Sequence, residues 1–422
     1  MREMKDSGIE WVGAIPQDWQ LSKIGSLYTQ RNEKVSDKDY QPLSVTMQGI
    51  LPQLATAAKT DDGDNRKLVR VGDFAINSRS DRRGSCGISP LDGSVSLINI
   101  ILTPRTAMHP GYYNWLFHTT LFADEFYKWG HGIVADLWTT RWQEMKSITV
   151  PVPEYVEQER IAAFLDAECA EIDAVLEKTR ASIEEYKKLK QAVITQAVTK
   201  GVRGDRPMKD SGIEWIGDIP AEWNVVRIKN LFDYRNERNF KPLEEVNLIS
   251  LYTDKGVVQH CDLDETTGNK ASNADGYKLV YENDIVVNII LCWMGAIGRS
   301  AYFGVTSPAY DVYSPKQKTN SKFYHYLFRT NGFSGDCYKV GRGIMAMRWR
   351  TYSDQFRAIK VVSPPQSEQE EIVEYLDEKC AGIDDLIAKK QQYLTEIENY
   401  KKSLIYEYVT GKKEVKTSVL AD

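Results

Sequence analysis

The phrase MKDSGIEWVGAIP at residues 4–16 is written again as MKDSGIEWIGDIP at 208–220, with changes only at Val12/Ile216 and Ala14/Asp218. A chain that repeats itself folds as copies of one unit, so the repeat constrains the architecture before any local reading. At an offset of 204, Trp19, Ile24, Leu27, Arg31 and Asn32 fall on Trp223, Ile228, Leu231, Arg235 and Asn236. From KLV at 67 onward the offset is 211: KLV recurs at 278, WLFHT at 115 meets YLFRT at 326, YKWGHGIVADLW at 127 meets YKVGRGIMAMRW at 338, and EQERIAAFLD at 157 meets EQEEIVEYLD at 368. Each half therefore holds one globular module of about 150 residues, the size of an ordinary domain, followed by a long segment of different character.

That segment reads as helix. Alternate steps of four and three from Ile161 reach Leu165, Ile172, Val175, Tyr186, Leu189 and Val193, with seven of eleven positions apolar. The same walk from Ile372 is apolar at eight of eleven, including Leu376, Ile383, Leu386, Tyr393, Ile397 and Leu404. This is a coiled-coil seam twice over. Each segment starts after prolines (Pro151/Pro153, Pro364/Pro365) and ends at VTKG or VTGK, where glycine closes a helix. At 1.5 Å per residue such a helix is about 64 Å long. Its stripe needs a partner, and the other long helix, antiparallel, is the economical one. Between the helices, SITVPVP, KLVRVGDFAIN, YENDIVVNII and RAIKVVSP read as strands, and YYNWLFHTTLFADEFYK and SKFYHYLFRTNGF as short aromatic helices. The expected fold is α/β in the α+β sense, with mainly antiparallel sheet: two globular domains related by a pseudo-two-fold axis and separated by two long antiparallel helices. The expected boundaries are 1–154, 155–204, 205–365 and 366–415, with a tail at 416–422.

The net charge of −5 is unevenly spread. Residues 154–201 and 366–413 together carry −7, so the rest carries +2, and a locally basic face is compatible with an acidic total. No uncharged apolar run approaches the roughly 18 residues of a membrane helix, and MREMKDSGIEW has no signal-like core, so a cytoplasmic protein without membrane contact is expected. Six cysteines, Cys86, Cys169, Cys261, Cys292, Cys337 and Cys380, stand singly, without C-x-x-C pairs or histidine clusters. Neither a disulfide framework nor a metal site is indicated.

GHGIVA at Gly130 and GRGIMA at Gly341 imitate a dinucleotide loop, but they follow helical text instead of a strand. They read better as a glycine turn that lets backbone approach a neighbour closely, a phosphate among the candidates. No Walker lysine, H-E-x-x-H or G-x-S-x-G occurs, and the single Pro-Pro, SPPQ at 363–366, lacks the setting of an amino-methyltransferase loop. These absences favour a binding protein. Its candidate contacts are basic and aromatic. One cluster holds Lys339, Arg342, Arg348 and Arg350 with Trp349 and Tyr352; its counterpart holds His131 and Arg141 with Trp138 and Trp142; Arg79, Arg82 and Arg83 form another, with Arg299 in the equivalent stretch. Arginines among aromatics suit phosphate contact and the reading of guanine edges. Residues 33–120 scarcely match 237–331, so the scaffold is duplicated and the faces it carries have diverged.

The twin SGIEWxGxIPxxW phrases, the G-x-G-I turns (Gly130 to Ile133, Gly341 to Ile344), the VPVPEYVEQERIAAFLD and VVSPPQSEQEEIVEYLD junctions, the Ile172/Asp173 and Ile383/Asp384 pairs and the AVTKG/YVTGK ends resemble, over the whole chain, the specificity subunit of a type I restriction-modification enzyme. PEYVEQ departs mildly from the family's usual proline and apolar residue. The resemblance implies two target-recognition domains, each reading half of a split double-stranded DNA site, and a helix pair that sets the unspecified spacer. It also implies two adenine methyltransferase subunits that use S-adenosylmethionine, and two ATP-dependent restriction (translocase-nuclease) subunits. No catalytic residue, cofactor or metal is expected on this chain, and the partner methyltransferase would handle the flipped adenine. Two alternatives are a related system whose partner fuses methyltransferase and nuclease, and a coiled-coil scaffold that binds protein and shows no salt-dependent DNA affinity. The opening phrases cannot read different half-sites with identical text. Trp11/Trp215 and Trp19/Trp223 are expected to dock each module on the helix pair or on a partner.

Overall fold

The computed structural model describes residues 2–53, 62–79, 82–132, 138–260, 273–343 and 349–415. The tail at 416–422 lies outside them. Two compact units are present: Met1–Arg180 with Gln391–Asp422, and Ala181–Lys390.

The centre of each unit is a four-stranded antiparallel sheet of one order. In the first unit Cys86–Ile88, Phe74–Asn77, Asn99–Pro104 and Tyr28–Arg31 lie side by side; in the second, Ile297–Arg299, Ile285–Asn288, Tyr310–Pro315 and Phe232–Arg235 do. The continuous apolar runs FAI and IVV are buried on both faces, as strands covered on both sides require. One face carries two short helices, Pro110–Phe117 and Thr120–Lys128, matched by Ser321–Phe328 and Asn331–Val340. The hydroxyls of Thr119 and Thr330 cap the second helix of each pair by accepting from Phe122 N and Phe333 N. Aromatic rings fill the gap: Phe117 lies 4.6 Å from both Phe74 and Phe122, and Phe328 lies 4.5 Å from Phe333. The opposite face is closed by a hairpin, Leu43–Thr46 with Gly49–Pro52 or Ile249–Tyr252 with Gly256–Gln259, over a smaller apolar cluster.

The long helices run over Tyr155–Lys200 and Gln366–Val409. Within the first unit, Phe164 packs on Tyr408 (4.4 Å), Asp173 pairs with Lys401 (2.6 Å) and Arg180 with Glu398 (2.6 Å). Within the second, Tyr186 lies under Lys390 (5.7 Å), Lys190 pairs with Asp384, and Arg203 pairs with Glu371 (2.7 Å). Numbers that rise on one helix as they fall on the other make both stretches antiparallel. Asp173–Lys401 and Asp384–Lys190 are the same pair under the 211-residue offset, which gives the repeated Ile-Asp its role.

The opening phrases are hairpins, Met4–Asp6 with Ala14–Pro16 and Met208–Asp210 with Asp218–Pro220. Gly8/Gly212 and Gly13/Gly217 sit at φ of 65–70°, a region that strongly favours glycine. The two differences between the phrases are the tolerable ones, since Val12/Ile216 are buried and Ala14/Asp218 exposed. Each hairpin grips two helix ends of its own unit. Trp19 Nε1 donates to Glu157 Oε2 and Trp223 Nε1 to Glu368 Oε2, both at 2.9 Å, in the first turn of a long helix. Arg2 and Arg206 lie over those indoles at 5.7 and 5.6 Å and pair with the same carboxylates. At the other end, Tyr406 Oη donates to the carbonyls of Trp11 and Val12 and Lys412 also reaches Val12 O, while Lys200 Nζ donates to Ile216 O and Asp218 O.

The neighbouring glutamines complete the junction. Gln158 Nε2 donates to Pro153 O (2.8 Å) while its Oε1 accepts from His109 N; Gln369 does the same with Pro364 O and Asn320 N. The docking expected of Trp19 and Trp223 is therefore on the helices. The rings of Trp11 and Trp215 instead face the short helices: Trp11 packs on Phe122 (5.8 Å), and Trp215 donates to Asp336 (2.6 Å) above Gly332, which leaves room for the indole.

Candidate nucleic-acid interface

After each G-x-G segment the chain leaves and returns, and backbone pairing closes the base of that excursion. His131 N donates to Thr139 O (3.0 Å) and Thr139 N to His131 O (3.1 Å); Arg342 and Arg350 pair the same way at 2.8 and 3.0 Å. The first glycine of each motif has a local cause. A Cβ on Gly130 or Gly341 would fall within contact of the Trp138 or Trp349 indole. Those indoles donate to Tyr127 O (2.8 Å) and Tyr338 O (3.1 Å), and Trp349 stacks on Tyr338 at 5.0 Å. The close neighbour expected at the glycine turn includes an indole of the same loop, Trp138 for Gly130 and Trp349 for Gly341. Thr140 and Thr351 anchor the returning strand, through Oγ1 to Phe126 O and Cys337 O, and through N to Ser78 O and Ile289 O. The chain between the base residues, 133–137 and 344–348, lies outside the described residues, and Arg348 with it.

The structure sorts the basic candidates. In the first unit, Arg79 forms a β-bridge with Thr139, which also bridges His131, so Arg79, His131 and Arg141 gather at one excursion base. All three are exposed; His131 Nε2 lies 4.0 Å from Glu144, and Arg141 N donates to Glu144 Oε2 (2.9 Å). Arg83 is turned away onto Asp124 and over Tyr127, and Arg82 lends its carbonyl to Tyr127 Oη at 3.4 Å. In the second unit Arg342 and Arg350 face each other across the base, both exposed. Lys339 is paired with Glu214 of the hairpin (3.0 Å), which raises its pKa above the lysine norm. Arg299 is held by Asn283 Oδ1 (2.9 and 2.6 Å). Lys67 was missed by sequence reasoning; with Gln30, Arg79, Arg141 and Trp142 it lines a cleft beside the first base.

Arg299 is also fixed through its backbone, whose N–H donates to His325 Nδ1 at 3.1 Å. Burial, then the charges of Arg329 and Arg299, push the His325 pKa down to about 3. Because this folded-state pKa lies below the unfolded value near 6.5, the stabilisation is fully present above about pH 6.5 and is lost as pH falls toward 3. The expected loss is about 2 kcal/mol between pH 6.5 and 5, at about 1.4 kcal/mol per unit. Hydrogen exchange of peptides covering 297–329 should follow this fall, and His325→Asn should flatten it.

Five cysteines, Cys86, Cys169, Cys292, Cys337 and Cys380, are free and buried, and Cys261 lies outside the described residues. Among the described residues no cluster of ligands could hold a metal ion, and no helix is long and apolar enough to cross a membrane.

The family model for the type I restriction modification DNA specificity domain matches residues 220–398. A Methanocaldococcus jannaschii protein carried under the name MjaX specificity subunit of a type I restriction enzyme is 28% identical over 289 residues, 65% of this chain and 61% of its own length. The MjaVIII type I restriction enzyme specificity subunit of the same organism is 24% identical over 431 residues, 95% of this chain and 94% of that protein. Among solved structures, a chain from a study of complex assembly and conformational transition of the type I R-M system superposes with a TM-score of 0.70 at 12% identity, over 94% of this chain and 99% of that one. The HsdS subunit from Thermoanaerobacter tengcongensis superposes with a TM-score of 0.50 at 15% identity, over 94% and 98%. At these identities the structural likeness shows a shared fold.

Proposed function

We propose that the chain is a non-catalytic DNA-recognition protein of the kind its family-model match and curated relatives point to, a type I restriction-modification specificity subunit, and that it reads a bipartite, asymmetric DNA site, one half with each unit. It recruits two adenine methyltransferase subunits and two restriction subunits in the cytoplasm, and its long helices set the spacer between half-sites. One observation carries this reading. The same indole-supported excursion occurs once in each unit, beside equivalent sheets, and its base holds His131 and Thr139 in one copy but Arg342 and Arg350 in the other. Equal supports with unequal base residues suit two different targets. Arginine offers bidentate donors to guanine O6 and N7 and to phosphate, whereas threonine and histidine offer a different pattern.

Methylome sequencing of the host tests the proposal: a split adenine-methylated motif is expected to vanish when this gene is deleted. Persistence of every such motif would reject it. Replacing both Arg342 and Arg350 with alanine is expected to lower the slope of log affinity against log salt by about 2 in the complex with the methyltransferase. Filter-binding titrations at several salt concentrations provide the check, and an unchanged slope takes these arginines off the contact face.

A further inference from the structure

One position in the repeat is a closed polar network in the second unit and an open basic cleft in the first. In the second unit Lys278 Nζ donates to Asp311 Oδ1 (2.8 Å) and to Tyr234 Oη (3.1 Å), and Tyr313 Oη bonds Asp311 Oδ2 (3.3 Å) and Ser353 Oγ (3.1 Å). The Lys278 and Asp311 side chains are 4% and 10% exposed. The offsets put Gln30, Lys67, Ile100, Leu102 and Trp142 where Tyr234, Lys278, Asp311, Tyr313 and Ser353 stand. The lysine is kept and its carboxylate has become an isoleucine.

Lys67 Nζ now donates to the carbonyl of Asn99 (2.6 Å), and no acid pairs with it among the described residues. Half-burial pulls its pKa below the lysine norm. The space that the network fills in the second unit is here a cleft lined by Lys67, Arg79 and Arg141, with Gln30 and Trp142 at its sides and Ile100 among its apolar lining. A cation partly withdrawn from water with no counter-charge is costly, and an anion placed beside it recovers that free energy.

We propose that this cleft seats one backbone phosphate of the DNA, and that the second unit has no such seat. The inference rests on the DNA-reading function proposed above and goes further by assigning one ligand group to one unit. The three cationic side chains are donors only, as an anion requires. Phosphates project from a duplex into concavities, whereas base edges lie in the groove floor and are reached by protruding groups. Thr139, at the excursion base, lines the same cleft, so a seated phosphate would fix that base against the duplex.

The test uses the full chain reconstituted with its methyltransferase partner and a duplex carrying the methylated motif. Lys67→Gln is expected to weaken binding about tenfold and lower the salt slope by about 1 without changing the motif, and Lys67→Arg to restore both. Replacing single phosphates by neutral methylphosphonates should reveal one position, in one half-site, that costs the wild type about tenfold and costs Lys67→Gln nothing. A changed motif, or methylphosphonate effects that all add to that of Lys67→Gln, overturns the phosphate seat. Should Lys67→Gln fail to fold, Arg79→Gln in the same cleft is read by the same criteria. Salt-independent binding by the wild-type complex would instead overturn the DNA-reading function, so the two failures are distinguishable.

Discussion

Glu368→Ala is expected to destabilise the second unit by about 3–5 kcal/mol, the range for removing one partner of a buried ion pair. The carboxylate is fully buried, accepts from the Trp223 indole at 2.9 Å and pairs with Arg206. Its loss strands the Trp223 indole N–H and takes from Arg206, whose side chain is only 12% exposed, its buried counter-charge, leaving it Glu222 at 2.8 Å. Glu157→Ala, the same change in the first unit, is expected to cost less. Glu157 keeps 17% exposure where Glu368 has none, while each arginine retains a second carboxylate, Asp18 for Arg2 at 2.7 Å and Glu222 for Arg206 at 2.8 Å. Hydrogen exchange of peptides spanning 206–223 and 366–376, compared with 2–19 and 155–165, measures both. Equal losses in the two units would refute the argument from burial.

Gly341→Ala is expected to cost DNA recognition more than stability. Its new Cβ would lie 2.9 Å from Trp349 Cδ1 and closer still to Nε1, so the indole must leave its stack on Tyr338 and its bond to the Tyr338 carbonyl. Crowding of this kind costs about 1–3 kcal/mol. The larger effect falls on the Arg342–Arg350 base, whose orientation the indole supports. On the DNA-reading function proposed above, displacing these two cations is expected to lower affinity more than tenfold, with the effect confined to the half-site assigned to the second unit. Gly130→Ala, which would displace Trp138, is expected to blur the other half-site. Methylation sequencing of strains carrying either variant decides the matter, and a motif blurred equally in both halves would contradict it.

Much of this was written in the residues because the repeat gives each interaction a second copy to check against. The alternating strands, the paired short helices and the long antiparallel helices follow from periodicity. The roles of Glu157/Glu368, Gln158/Gln369 and Asp173/Asp384 are implicit in text that recurs at a fixed offset, and the pair Arg2/Arg206 was equally available there. The candidate interface was less legible, since a side chain's availability depends on neighbours brought from afar. Lys339, Arg299 and Arg83 share the composition of Arg342 and Arg350, yet Glu214, Asn283 and Asp124 hold them. Identical letters also concealed a difference: KLV at 67 and at 278 look interchangeable, and only Ile100 and Asp311, on another strand, separate an open cation from a neutralised one.

The crossed grip of the hairpins bears on the order in which the molecule is made. The second unit is a single run, 181–390, and its hairpin meets a helix end, Lys200, that precedes it by only a few residues. The first unit joins the chain's beginning to residues 391 onward: Tyr406 and Lys412 bond backbone some 400 positions earlier, and Tyr112 Oη bonds Val409 O at 2.8 Å. Of the two units, the one whose synthesis starts earlier is therefore completed later, since its hairpin gains the bonds from Tyr406 and Lys412 only after residues 181–390, the whole of the other unit, have been made.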